Sequence, residues 1–188
     1  ARDFRNGRKD WRTTLKKSLV QNTDKLIWVH AASQGEYQQG LPVIKELKRT
    51  HEDVFILVTF FSPSGYEAFE ESDYVDAIAY LPLDYPRNVK DFLDISEPQL
   101  ALFIKYEFWY NYMIALNQRS IPLILVSSIF RSDQMFFHSM GGFYLEALKK
   151  TTHFFVQDDQ SAQLLQRHGI EQYAITGDSR LDQMLTIK

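Results

Sequence analysis

Short apolar runs alternate with stretches whose apolar residues recur at helical spacing along most of this 188-residue chain. Leu26 to Val29 is the first run, continuous in the way expected of a strand covered on both faces. It breaks at His30, Ala31, Ala32, Ser33, Gln34, Gly35 and Glu36, after which Leu41, Ile44 and Leu47 repeat along one helix face. The pattern predicts strand, tight turn, helix. Val54 to Thr59 is a second strand. Ser62 then reads as an N-cap and Pro63 as the first residue of a short helix to about Glu71. Ala77 to Leu81 is a third strand, and Asp84 is expected to cap a helix from about Pro86 to Leu93. Leu100–Ile104, Pro122–Val126, His153–Val156 and Tyr173–Thr176 continue the strand series. Further helices are expected up to about Gln118, over Phe143 to Lys149, and from Asp158 to a terminating glycine, Gly169. This alternation predicts an α/β fold: a Rossmann-like open parallel sheet with helices on both faces.

Composition narrows the class. Hydrophobic residues make up 45% and charged residues 24%, which describes a globular chain of about one domain. Cysteine is absent, which excludes disulfides and thiolate metal sites. No apolar run approaches the roughly 18–20 residues of a membrane span. The start at Ala1, without an initiator Met, reads as a piece of something longer.

Charge is distributed unevenly. Residues 1–20 carry Arg2, Arg5, Arg8, Lys9, Arg12, Lys16 and Lys17 against Asp3 and Asp10, a net +5 in a chain of net −3, so the remainder carries −8. Phe4, Trp11, Leu15 and Leu19 recur at roughly helical spacing within this leader. Two readings stand: the leader lies on an anionic membrane surface, or it packs its aromatic side on the body. An acidic body without an RNA-binding signature argues against nucleic acid as a partner.

The strand-end turns hold the candidate chemistry. Ser33, Gly35 and Glu36 fit a capping box. They equally fit a carboxylate general base at a crevice mouth, with Gly35 letting a substrate approach the backbone. Ser62, Ser64 and Gly65 fit either a plain cap or an anion-binding helix start. Lys105, Glu107, Trp109 and Asn111 offer a carboxylate beside aromatics, suited to a tuned pKa or to sugar hydroxyls. The alternative is an acidic residue in the first turn of a helix. Ser127, Ser128 and Arg131 follow the fifth strand, and Arg131 is suited to a phosphate or to a surface ion pair. Asp178 and Arg180 close the series. His30 reads as a structural hydrogen-bonder. No metal-ligand spacing, no G-x-S-x-G elbow and no G-x-G-x-x-G fingerprint appears.

Taken together, five motifs resemble a family. They are Ser33-Gln-Gly35-Glu36, Thr59-Phe-Phe-Ser62-Pro63-Ser64-Gly65, Leu81-Pro82-Leu83-Asp84, Tyr106-Glu107-Phe108-Trp109-Tyr110-Asn111 and Thr176-Gly177-Asp178-Ser179-Arg180-Leu-Asp182. Their order and spacing, from about Trp28 to Asp182, resemble the 3-deoxy-D-manno-octulosonic acid (Kdo) transferases of lipopolysaccharide biosynthesis. The resemblance implies the N-terminal half of a two-domain GT-B glycosyltransferase. Residues 1–20 would be a leader helix beside a membrane anchor, 21–180 a Rossmann-like acceptor-binding domain, and 181–188 the start of a linker to a donor-binding domain. The implied partners are the lipid A precursor lipid IVA, the donor CMP-Kdo and the cytoplasmic face of the inner membrane. No cofactor or metal is implied.

The resemblance also implies roles. Glu36 would be the general base, Glu107 a transition-state stabiliser or positioning group, and Arg180 a cation offsetting developing negative charge. Many members carry Lys at the Arg180 position, and Pro where this chain has Tyr110, next to Trp109 and Asn111. Ser33, Gly35, Trp109 and Asn111 would contact substrate. Ser62, Ser64, Gly65 and Arg131 are candidates for the glycolipid phosphates, with Phe60, Phe61, Phe136 and Phe137 as apolar surface for its chains. The alternatives are another GT-B transferase acting on a lipid or nucleotide sugar, and a non-catalytic Rossmann-like module for an anionic ligand. The piece alone is expected to be inactive.

Overall fold

The computed structural model describes residues 7–178, apart from 21, 23 and 52. Among these, the chain runs α1 (Trp11–Ser18), β1 (Lys25–Ala31), α2 (Gln34–Thr50), β2 (Val54–Phe60), α3 (Pro63–Glu67), β3 (Ala77–Tyr80) and α4 (Pro86–Ser96). It continues through β4 (Leu100–Ile104), α5 (Tyr110–Gln118), β5 (Leu123–Ser128), two 3₁₀ turns (Met135–Phe137 and Ser139–Gly141), α6 (Gly142–Lys149), β6 (His153–Val156), α7 (Asp159–Arg167) and β7 (Tyr173–Ile175). The strands form one parallel sheet in the order β3-β2-β1-β4-β5-β6-β7. The fold is the Rossmann-like open parallel α/β sheet that the alternation predicts. The order reverses between β1 and β4, the switch point where ligands bind in open α/β sheets.

Period-two alternation divides the strands between two cores. Trp28 and Phe103 face one way, Val29 and Leu102 the other. The first face is covered by residues of α1, α4, α5, α6 and α7, and the second by α2 with Tyr66 of α3. Trp28 is the hub of the first core, with its ring 4.7 Å from Phe92, 5.0 Å from Phe103 and 5.3 Å from Tyr112. Burying each such aromatic side chain removes about 150–250 Å² from water.

Three departures from the hydropathy reading have a clear physical cause. β1 continues past Val29 through His30 and Ala31, because the buried imidazole finds hydrogen-bond partners that offset its desolvation. α3 stops at Glu67, where Glu70, Glu71 and Asp73 would oppose the negative end of a longer helix. Asp84 does not cap α4, whose N-cap position is Tyr85 and lacks a side-chain cap. It caps α5 instead, accepting from the N–H groups of Asn111 and Tyr112 at 3.2 Å each.

α1 joins the first core rather than presenting its apolar stripe outward. Trp11 and Leu15 are buried, and Arg12 pairs with Asp91 at 2.7 Å. Arg8 donates to the carbonyls of Leu81 and Phe61. Lys9, Lys16 and Lys17 stay exposed, while Phe4 lies outside the described residues. No helix among the described residues is long and apolar enough to cross a membrane.

Candidate active site at the sheet switch point

The turn after β1 begins α2 with a complete capping box. Ser33 N–H donates to Glu36 Oε2 at 3.0 Å, Ser33 Oγ–H donates to the same oxygen at 3.3 Å, and Glu36 N–H donates to Ser33 Oγ at 3.4 Å. The capping reading is therefore realised, and it leaves Glu36 Oε1 unengaged among the described residues. Burial first, then the negative charge of Glu107, raises the Glu36 carboxyl above its ordinary value. The Ser33 hydrogen bonds and His30 oppose this without reversing it. A raised carboxylate is a stronger proton acceptor, so cap and base are compatible roles for one side chain. Gly35 stands in α2 with no neighbour within 4 Å of where a Cβ would be, so the backbone here borders open space.

The turn after β4 adjoins this one, because β4 pairs with β1. Lys105 takes a left-handed conformation, φ 69°, and bends the chain back over the strand end. Glu107 follows, 8% exposed. Its Oε2 lies 3.0 Å from His30 Nε2 and accepts from Trp109 Nε1–H. Glu107, Asp84, Trp109, Met135, Phe136 and Tyr144 line a crevice of about 510 Å³. Burial raises Asp84, although the Asn111 and Tyr112 hydrogen bonds pull the other way. Burial, and then the charge of Asp84, pushes Tyr144 up to about 12, which keeps its phenol a donor, here to the Phe108 carbonyl. The crevice thus sets buried Glu107 and part-buried Asp84 against aromatic walls, a lining suited to sugar hydroxyls. Among the described residues no group of three or more His, Cys, Asp or Glu could hold a metal ion.

Comparison with known proteins shows the family and the fold. Residues 8–183 match the family described as "3-Deoxy-D-manno-octulosonic-acid transferase (kdotransferase)". The chain belongs to the Kdo transferase family. The 3-deoxy-D-manno-octulosonic acid transferase of Aquifex aeolicus (strain VF5) is 40% identical over 113 residues, covering 60% of this chain and 30% of that protein. Its Bordetella pertussis counterpart is 28% identical over 164 residues, 83% of this chain and 38% of that one. The chain spans well under half the length of these relatives. Among solved structures, a UDP-N-acetylglucosamine 2-epimerase superposes with TM-score 0.62 over 87% of this chain and 51% of its own, at 13% identity. The Neisseria meningitidis UDP-GlcNAc 2-epimerase superposes with TM-score 0.59 over 86% and 48%, at 16% identity. At such identities the likeness shows the fold alone.

Within this Kdo transferase domain, Glu36, Glu107, Ser33, Gly35 and Trp109 gather at the β1 and β4 strand ends. Other candidates have different surroundings. Asn111 spends its side-chain amide on the Asp84 carbonyl, at 2.7 Å, fastening α5 to the preceding turn. Ser62 caps α3 by accepting from Gly65 N–H at 3.0 Å, and Ser64 lies 3.0 Å from Ser62. Gly65 is buried: a Cβ there would sit 2.8 Å from Phe60 Cδ1 and 3.1 Å from Gln34 N. Ser62, through its N–H to the Ala32 carbonyl, and Gly65 brace the first turn, while Ser64 is exposed. Arg131 is exposed and is not among the residues lining the crevice. Arg180 lies outside the described residues. Phe60 and Phe136 are buried, and Phe137 packs on the core, so they are not an open rim. Of the exposed apolar residues, Met135 lines the crevice, and Met140, Phe143 and Tyr85 lie within a few residues in sequence of its lining residues Phe136, Tyr144 and Asp84. The sequence reading misses Tyr144 and assigns Asp84 to the wrong helix, because their partners lie 36 and 27 residues away.

Proposed function

We propose that this chain is the acceptor-binding half of an inverting glycosyltransferase that moves Kdo from CMP-Kdo to a lipid A precursor such as lipid IVA. The observation carrying this reading is Glu36: half-buried, raised, held at Oε2 by its cap, and set close enough to Glu107 to feel its charge. In the reaction, an acceptor hydroxyl gives its proton to Glu36 Oε1 as its oxygen attacks the anomeric carbon of Kdo. The bond from that carbon to the CMP phosphate oxygen breaks, CMP leaves as the anion, and the configuration inverts. Glu107 and Trp109 orient the acceptor sugar, while Arg180 offsets charge on the leaving side. The step needs no metal. CMP-Kdo is held mainly by a further domain that residues 181–188 lead into.

The acceptor is amphipathic. Met135, Met140 and Phe143 offer apolar contact for its chains, and Lys9, Lys16 and Lys17 of the leader face the anionic cytoplasmic surface of the inner membrane. Family membership supports this reading together with Glu36 and Glu107, which sit at the ends of the paired strands β1 and β4. Its test is Glu36→Gln in the longer enzyme. Gln preserves the capping box and removes the base, so turnover is expected to fall by about 10²–10⁴-fold with acceptor binding nearly unchanged. Turnover within a few-fold of the parent would remove Glu36 as the base.

A further inference from the structure

Beneath the crevice runs a buried polar chain that the chemistry above does not use. Trp28 Nε1–H donates to Thr59 Oγ1 at 2.8 Å. His30 Nδ1 lies 2.9 Å from Thr59 Oγ1 and 3.0 Å from the Thr59 carbonyl oxygen. On its other side, His30 Nε2 lies 3.0 Å from Glu107 Oε2. Trp28, His30 and Thr59 have no solvent exposure. An apolar side chain at position 30 would fill the same space without the cost of desolvating an imidazole. A polar chain in such a place holds only when every member is satisfied, and it then fixes the geometry around it.

The proton pattern is constrained. With Glu107 ionised, Nε2 must carry a proton, since otherwise two acceptors would face each other. A neutral His30 then accepts at Nδ1 from the Thr59 hydroxyl, and an imidazolium donates from Nδ1 to the Thr59 carbonyl. Both states present Nε2–H to Glu107. Trp109 donates to the same oxygen. Oε2 therefore has two donors on fixed frames, and Oε1 has none among the described residues.

We propose that His30 is the positioning residue for Glu107: anchored through Thr59 to Trp28, it holds Oε2 in place and leaves Oε1 as the oxygen offered to a sugar hydroxyl. The proposal rests on the reading in which Glu107 serves the crevice.

The chain holds three tryptophans, Trp11, Trp28 and Trp109. An ¹⁵N-indole spectrum of the 188-residue chain therefore reports each end of the polar chain, with Trp11 as a fold control. Asn at position 30 mimics the Nδ1 side of histidine, and Gln the Nε2 side. His30→Asn should shift the Trp109 signal and leave that of Trp28 near its place, whereas His30→Gln should do the reverse. A Trp109 signal unmoved by His30→Asn, with Trp11 in its native position, would overturn the proposal. Should His30→Asn fail to fold, Thr59→Val should still move Trp109 through the imidazole, and Thr59→Ser should restore it; no movement in Thr59→Val would again overturn it. In the longer enzyme, His30→Asn should lower kcat by about 10²-fold, with the acceptor KM little changed, as expected of a misplaced group. Indole shifts as expected, with full activity in Glu107→Gln, would leave the positioning standing and remove Glu107 from the chemistry.

Discussion

The turns after β1 and β2 look alike in sequence and behave differently in the fold. Each has a serine N-cap and a glycine shortly after it. In the first, Ser33 opens a 17-residue helix, a carboxylate completes the cap, and Gly35 faces open space. In the second, Ser62 opens a helix of five residues, Gly65 stands where the capping-box carboxylate would be, and it is wedged under Ser33 and Gln34. Ser62 N–H also donates to the Ala32 carbonyl at 2.8 Å, tying the two turns together. The second turn is a support for the first. A cap satisfies a helix end in both cases, and what adjoins the cap decides whether it also serves a ligand.

The glycines test this division most strongly. Gly65→Ala pushes a methyl into Phe60 and the backbone of Ser33 and Gln34, and should cost about 1–3 kcal/mol in a denaturant melt. Gly35→Ala meets nothing and should stabilise α2 by about 0.5 kcal/mol, yet lower turnover in the longer enzyme by crowding the acceptor. Equal effects at the two positions would erase the distinction between site and support.

The serines come next. Ser33→Ala and Ser62→Ala should each cost about 1 kcal/mol as lost caps. Only Ser33→Ala should push the Glu36 carboxyl further up in a ¹³C titration, because the Ser33 side chain is one of the groups holding it down.

The smallest effect is a trade of stability against chemistry at Glu36. Its folded value lies above the unfolded one, so the stability linked to its protonation is full below the ordinary carboxylate range and is lost as pH rises through the folded value. At neutral pH the charged Glu36 therefore weighs against the fold. Glu36→Gln should be more stable at pH about 7 by roughly 0.5 kcal/mol or less, since solvent screens the half-buried group, and the gap should close near pH about 4. Denaturant melts of both proteins across that range check the sign. Asp84 is raised by burial as well, but it is common to both proteins and cancels in the difference.

Much of this architecture is legible in the chain. β4 and β6 have the bounds that the apolar runs give, Ser33, Ser62 and Asp158 cap the helices they precede, and Gly169 takes the left-handed conformation, φ 75°, of a helix-ending glycine. Each of these signals is written within a few residues, in the period of a strand or helix or in the reach of a cap. Glu36 belongs to the same class, and so it is visible as a candidate from its turn alone.

The rest depends on which strands lie side by side. β1 pairs with both β2 and β4, which brings Thr59 and Glu107 against His30 across 29 and 77 residues of sequence. The same packing sends Asp84 to α5 instead of the helix beside it, turns the apolar stripe of α1 inward, and makes the second serine turn a brace. Hydropathy and capping act locally and are encoded locally. Strand order is set by how all the apolar faces bury together, and the crevice at the switch point exists only once that order is set.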